Sequence, residues 1–255
     1  MENNIKIFSS SYDGIDISDR FPTDYYEQID YKDCHNDLDN LRLLYSELYH
    51  VYDIWKNKEI LDYIGVCHYR RFFNFDHNDL DKIFQKYDII LPIPYDFGIT
   101  SYQQYCRNFD STNIKILGAI IKKYYPEYLE IFCDFFNQNK IYPNSMMITS
   151  KEIFNNYCTW LFDILSKFSK HCKFNNMNDV KEYIEKNSLK YHCEDGKLSV
   201  LDKDKLPKET YENWVNNYCR IYGFLSERLL NVYVMKNKLK IYEAPVKIYP
   251  YNINK

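Results

Sequence analysis

The stretch GVCHYRRFFNF, residues 65–75, runs from an apolar lead-in into a histidine and two consecutive arginines, then closes on three phenylalanines. Taken with the residues before it, 62–73 reads as one strand. Ile64, Val66, His68 and Arg70 fall on one side, and Gly65, Cys67, Tyr69 and Arg71 on the other. Both sides are apolar up to Cys67 and polar beyond it. A strand covered on both faces belongs to a sheet held between helices, and polarity at its C-terminal end marks the rim where such sheets bind ligands. The charge therefore reads as an anion site at that rim. The competing reading, in which one arginine pairs internally with Glu47 or Glu227 and only shapes the cleft, stays open.

The rest of the chain alternates between strand and helix patterns. Residues 5–8 form a short apolar strand that breaks into Ser9, Ser10 and Ser11, the shape of a first strand opening into a binding loop. Over 40–56, Leu41, Leu44, Leu48, Val51 and Trp55 repeat at helical spacing, which predicts one amphipathic helix with Asn40 and Glu47 on its flank. Residues 87–92 predict a buried strand, followed by helices over 113–124 and 126–138, the second opening on Pro126 and Glu127. A strand over 142–148 leads through the capping box Thr149-Ser150-Lys151-Glu152 into a helix reaching Phe168. Residues 170–212 turn polar and irregular, an insertion or flap on a single domain spanning 1–255. Residues 223–236 are apolar almost all round, a buried helix interrupted by Glu227 and Arg228. A buried carboxylate needs a partner, and adjacent helix positions do not face each other, so Glu227 must pair elsewhere or face a cavity. Residues 240–249 alternate as a strand that Pro245 places at an edge. This rhythm predicts an α/β fold, Rossmann-like, with a mostly parallel central sheet and helices on both faces.

Bulk properties narrow the function classes. A net charge of -3 offers no long-range attraction for a polyanion, so nucleic acid is not the expected partner. The eight cysteines stand singly, never as Cys-x-x-Cys, and no apolar run reaches the roughly 20 residues that span a bilayer. With no signal peptide visible, a reduced, cytoplasmic protein is expected. His171-Cys172 and His192-Cys193 lack the close ligand pairs of a tetrahedral zinc site. Three Asp-x-Asp matches, at 37–39, 79–81 and 202–204, are no more than this aspartate-rich chain yields by chance, and none directly follows a predicted strand.

Five segments together carry a resemblance: Tyr45-Ser46-Glu47; residues 52–57, YDIWKN; residues 63–73, YIGVCHYRRFF; residues 125–129, YPEYL; and residues 223–230, GFLSERLL. In order and spacing they resemble the capsular or exopolysaccharide biosynthesis glycosyltransferases, a family long carried as a domain of unknown function in bacterial polysaccharide clusters and large DNA viruses. The resemblance implies a glycosyltransferase A-type fold. It implies transfer from a nucleotide-diphosphate sugar, UDP- first, with dTDP- or GDP- as alternatives, to a glycan acceptor in polysaccharide or glycoprotein-glycan synthesis. An inactive nucleotide-sugar or carbohydrate-binding module of the same fold is the alternative. The chain departs from its relatives at Ser11-Tyr12, where they tend to carry His-Lys, and at residues 105–109, where a His-rich stretch is expected.

Such chemistry needs the leaving diphosphate's charge stabilised, an acceptor hydroxyl oriented and, for inversion, a base. The resemblance implies Glu227 as base, at the start of its helix, with Asp110 in reserve. The donor and its phosphates would meet Ser9, Ser10, Ser11, Asn40, Glu47, His68, Arg70 and Arg71, and the acceptor Asn144 and Arg228. Arginine and histidine can hold phosphate by charge-assisted bonds without metal, so a Mn or Mg requirement stays open, as does oligomeric state.

Overall fold

The computed structural model describes residues 4–11, 14–59, 61–187, 192–194, 197–199 and 207–250. Strands β1 (Ile5–Ser11), β2 (Tyr26–Asp30), β3 (Tyr63–His68), β4 (Arg71–Phe73) and β5 (Ile89–Pro92) come first. A two-residue ladder, β6 (Tyr95–Asp96) with β7 (Lys140–Ile141), stands apart from the main sheet, as does the pair β9 (His192–Glu194) and β10 (Lys197–Ser199). Strands β8 (Met147–Ser150), β11 (Ile241–Ala244) and β12 (Val246–Ile248) complete an eight-stranded sheet ordered β11-β5-β8-β3-β1-β2, with β4 and β12 attached beside β3. β1 is parallel to β2 and β3, and β5 to β11; β8 runs antiparallel to both its neighbours. The expected α/β, mostly parallel sheet is therefore present. Because β8 is reversed, the residues just before it lie at the same rim as the C-terminal ends of β1 and β3.

The helices are α1 (Arg42–Tyr45), α2 (Leu48–Asn57), α3 (Leu80–Phe84), α4 (Ser101–Cys106), α5 (Thr112–Tyr124), α6 (Leu129–Phe136), α7 (Lys151–Cys172), α8 (Met177–Asn187), α9 (Lys208–Cys219) and α10 (Ile221–Lys236). The two faces of the sheet are covered unequally. One core joins Phe8, Ile64 and Val66 to all the helices but α3; the other gathers Ile7, Phe72, Phe73 and Ile148 against Leu80 and Ile83 of α3. Gly65 is needed between them, since a Cβ there would sit 2.9 Å from Ile7 and 3.0 Å from Ile148.

Several local expectations are corrected. The strand predicted over 62–73 ends at His68, turns at Tyr69 and Arg70, and returns as β4, with His68 opposite Arg71. Folding back buries Phe72 and Phe73 completely in the second core, which a straight run outward would leave in water. The helix predicted over 40–56 is broken at Ser46, whose φ of 53° lies in the left-handed region. A tertiary contact overrides the periodic pattern there: α10 passes so close that a Cβ on Gly223 would be 3.0 Å from Ser46 Cβ. The serines of β1 are strand rather than loop, all three buried. Residues 142–146 are loop, with Asn144 and Ser145 at positive φ, and the strand begins only at Met147. The N-cap of α7 is Ser150, which accepts the N–H of Ile153 at 3.3 Å, so the Thr149–Glu152 box does not form, and the helix runs four residues past Phe168. Within 170–212, the end of α7, α8 and the start of α9 are helical, with Val180 and Ile184 in the main core; 188–191, 195–196 and 200–206 lie outside the described residues.

Candidate active site

A cavity of about 340 Å³ opens where β1, β3 and the loop before β8 end. That volume falls within the range of small-molecule sites. Its inner wall is apolar, from Phe8, Ile29, Leu48, Val51, Ile54 and Val66, and its mouth is polar, from Ser10, Glu47, His68, Arg70, Arg71, Asn144, Arg220 and Glu227. Five of the predicted donor residues and two others are thus brought together.

The β3–β4 turn is tied down by its backbone. Arg20 donates to the Tyr69 carbonyl at 3.2 Å, and the Tyr249 N–H donates to that of Arg70 at 2.8 Å. With the carbonyls engaged outward, the side chains of His68, Arg70 and Arg71 line the cavity. The Arg70 guanidinium packs 5.3 Å from the Tyr69 ring. The side chain of Arg71, half-buried, makes no hydrogen bond or ion pair with the described residues. His68 Nε2 lies 2.6 Å from the Asn144 carbonyl, which can only accept, so the proton sits on Nε2 and Nδ1 is turned toward Glu47, 3.9 Å away.

The opposite wall is α10 and the break at Ser46. Arg220, at the joint between α9 and α10, donates from Nη2 to Glu47 at 2.6 Å and from Nε to the Ser46 hydroxyl at 2.9 Å; that hydroxyl donates in turn to Glu47. Burial would push the Glu47 carboxyl up, but His68, Arg220 and Ser46 outweigh it and hold it down at about 2. Glu47 is therefore ionised throughout the physiological range. Glu227 accepts the Asn144 N–H at 3.1 Å on one oxygen and Arg228 at 2.7 Å on the other. Adjacent helix positions do pair here, contrary to the sequence expectation, because the arginine is long enough to reach back. Glu227 stands in the second turn of α10 rather than at its start. Asn231 accepts from the Tyr142 N–H at 2.9 Å and donates to its carbonyl at 3.0 Å, and Ser145 meets Ser226 at 3.0 Å, so α10 fixes the whole 142–145 loop.

Other predicted site residues lie elsewhere. Asn40 is exposed and away from the cavity, because the break at Ser46 separates its short helical turn from Glu47. Asp110 accepts the N–H of Thr112, the first residue of α5, at 2.6 Å. Ser9 and Ser11 point to the sheet's other side, as strand alternation requires; Ser11 donates to Asp30 at 3.1 Å. Arg228 is 3% exposed beneath the cavity, held by the Phe224 carbonyl, Glu227 and Gln104. Sequence reasoning missed Arg220, Ser46, Ser145 and Asn231. The signal available was a polar residue at each break in an apolar pattern.

A divalent ion would need carboxylates, and those here are engaged. Asp39 is bonded to Tyr49 and Arg42, Asp79 to Lys82, and 202–204 lie outside the described residues. The cavity's own Glu47 and Glu227 are held by arginines, and among the described residues no group of three or more His, Cys, Asp or Glu could hold a metal. His192 and Cys193 lie outside the residues whose side chains are described. Among the described residues the donor set does not fit a resident ion. Among the described residues, no helix is long and apolar enough to cross a membrane.

A mostly parallel sheet of this order, with β8 and β4 reversed and helices on both faces, matches the glycosyltransferase A-like class of folds. The structure described as "WbbM bifunctional glycosyltransferase", in its apo form, superposes with a TM-score of 0.67 over 96% of this chain at 20% identity. The match takes in 45% of that longer chain, so the present chain spans less than half its length. No curated protein matches. The chain belongs to the family described as Domain of unknown function (DUF4422), matched over residues 27–185. That match contains the β3–β4 turn and Glu47 but stops before Arg220 and Glu227.

Proposed function

We propose that the chain is a glycosyltransferase that takes a sugar from a nucleoside diphosphate, UDP in the first instance and dTDP or GDP otherwise, and delivers it to a glycan acceptor. The observation that carries this reading is Arg71, a guanidinium without an acidic partner among the described residues, at the mouth of a cavity on the fold's ligand-binding rim. A half-buried guanidinium with no internal acidic partner is available to a ligand, and a diphosphate meets it with bidentate, charge-assisted bonds. Arg70 and His68 flank the same position. The apolar inner wall with Ser10 receives the nucleoside.

Glu227 is the base. Two of its four lone-pair positions are taken by Asn144 and Arg228, which orient it and leave the others for an acceptor hydroxyl. In a transfer with inversion it removes that proton as the oxygen attacks the anomeric carbon, and the pair from the breaking bond goes to the diphosphate. Glu47, held near 2, is too weak a base for the task and instead keeps Arg220 and His68 in place. The arginines supply the positive charge that stabilises the leaving diphosphate.

Titration calorimetry with UDP, dTDP and GDP in EDTA, beside donor-hydrolysis assays with and without Mn²⁺, tests this. One diphosphate is expected to bind without metal, and Glu227→Gln to retain that binding while turnover falls by about 10²- to 10⁴-fold. Binding without turnover by the unmodified chain would make it an inactive nucleotide-sugar-binding module.

A further inference from the structure

Four of the large apolar side chains exposed on the described surface fall within one ten-residue stretch after β5: Ile93 at 50%, Tyr95 at 45%, Phe97 at 41% and Tyr102 at 38%. They are not on a loose loop. Asp96 accepts the Gly98 N–H at 2.9 Å and the Asn139 amide at 3.3 Å, while the Phe97 N–H donates to the Asn139 carbonyl at 3.2 Å and the Ser101 N–H to that of Gln138 at 2.6 Å. Tyr95 and Phe97, two apart on an extended segment, share a face, with rings 6.2 Å apart and nearly perpendicular. The fold holds two aromatic rings rigidly in water. That display costs hydration free energy and needs a use.

Directly after Phe97 the chain enters a shallow groove lined by Gly98, Thr100, Gln103, Asn137, Gln138, Asn139 and Lys140. Its polar groups are mostly uncharged amides and a hydroxyl, and the ladder sets Asp96 opposite Lys140, so the charges cancel. Aromatic rings with neutral amides complement the apolar C–H faces and hydroxyl rims of sugars. A nucleotide would need cations, and an acidic peptide a basic surface. Two connections join this shelf to the cavity. From β7 the chain runs through Tyr142 to Asn144 at the cavity mouth, and Gln104 of α4 bonds Arg228, which holds Glu227. Both connections lead to Glu227 and the loop that holds it.

We propose that Tyr95 and Phe97, with the amide groove beside them, form an extended acceptor subsite for an uncharged oligosaccharide, so that the acceptor is an existing glycan chain and not a single sugar. The assignment rests on the transferase reading above. Its test does not require turnover.

Binding of tetra- to hexasaccharides of glucose, galactose, mannose and N-acetylglucosamine, and of the matching methyl monosaccharides, is measured by NMR titration on the whole chain. At least one oligosaccharide is expected to bind with a Kd of about 10 mM or tighter, its monosaccharide about tenfold more weakly or worse. Tyr95→Ala/Phe97→Ala, at two exposed positions, should lose about tenfold or more in oligosaccharide affinity while leaving UDP affinity unchanged. In a turnover assay the loss should appear in KM for the long acceptor and spare donor hydrolysis. Absence of oligosaccharide binding, or equal binding by the double variant, would overturn the subsite. So would sedimentation showing a dimer that the double variant dissolves, since the shelf would then be a contact between copies. If glycan binds through the shelf yet no donor turns over, the transferase reading fails, the acceptor role falls with it, and the shelf is a glycan-binding site only.

Discussion

The β3–β4 turn and helix α10 face each other across one cavity and treat charge in opposite ways. On α10 and at its N-terminal joint the charges are closed on themselves: Arg228 on Glu227, and Arg220 on Glu47 and Ser46. On the turn, Arg71 has no such partner among the described residues. Charge that is saturated within the protein shapes a wall; charge that is not is available to a ligand. The internal pairs with Glu47 and Glu227, set out at the sequence level for an arginine of the turn, are made instead by Arg220 and Arg228.

The largest expected effect comes from breaking the closed side. Arg228→Met leaves Glu227 without its cationic partner and Gln104 without its donor, and removal of one member of a buried pair typically costs about 3–5 kcal/mol. Urea denaturation should show a loss of that order. A shift below about 1 kcal/mol would mean that Glu227 is solvated well enough to stand alone, and the contrast between the two walls would weaken.

Acid separates two more groups. His50, buried on α2, is pushed down to about 4, chiefly by burial and against the pull of Glu47. Its unfolded value is near 6.5, so between pH 6.5 and 4 the unfolded chain binds the extra proton and stability falls as pH falls, by up to about 3 kcal/mol. Glu47 acts in a lower window. Its carboxyl is depressed from 4.5 to about 2, so its contribution is complete above pH 4.5 and is lost on acidification toward 2, again by up to about 3 kcal/mol. Melting temperature against pH should show both limbs. His50→Gln should flatten the upper limb and spare the lower, whereas Glu47→Gln should flatten the lower and, by removing its pull on His50, deepen the upper; an upper limb that persists in His50→Gln, or a lower limb that persists in Glu47→Gln, would contradict the assignment. Smaller again is Asp110→Ala, which removes the acceptor of the first N–H of α5 and should cost about 0.5–1.5 kcal/mol with no loss of diphosphate affinity. A loss of turnover beyond that would return Asp110 to the mechanism.

What the sequence revealed follows from what is local. The order of strands and helices, the polarity switch after Cys67 and the buried character of α10 each depend on residues near in the chain, and were legible. The break at Ser46 was not, because its cause, the close pass of Gly223 and the reach of Arg220, is supplied from more than 170 residues away. The same distance hid Arg220 itself and misplaced Asn40 on a helix flank that does not exist. Arg228 failed for another reason. A charged residue beside a catalytic candidate reads alike from sequence whether it faces the cavity or supports it from beneath, and only the bonds to Phe224 and Gln104 decide.

The smallest effect on stability should come from Arg71→Ala, and that smallness is what makes it decisive. With no bond to lose among the described residues, the substitution should change unfolding free energy by no more than about 0.5 kcal/mol. If the guanidinium meets a diphosphate, affinity should fall about tenfold or more, near 1.4 kcal/mol, because a charge-assisted contact is lost from a partly desolvated site. Arg71→Lys keeps the charge but not the planar fork, so it should recover only part of the loss. Full recovery would make the contact a point charge rather than a bidentate grip. A destabilised Arg71→Ala with unchanged affinity would place Arg71 on the structural side of the comparison, and the two walls of the cavity would then differ in position but not in kind.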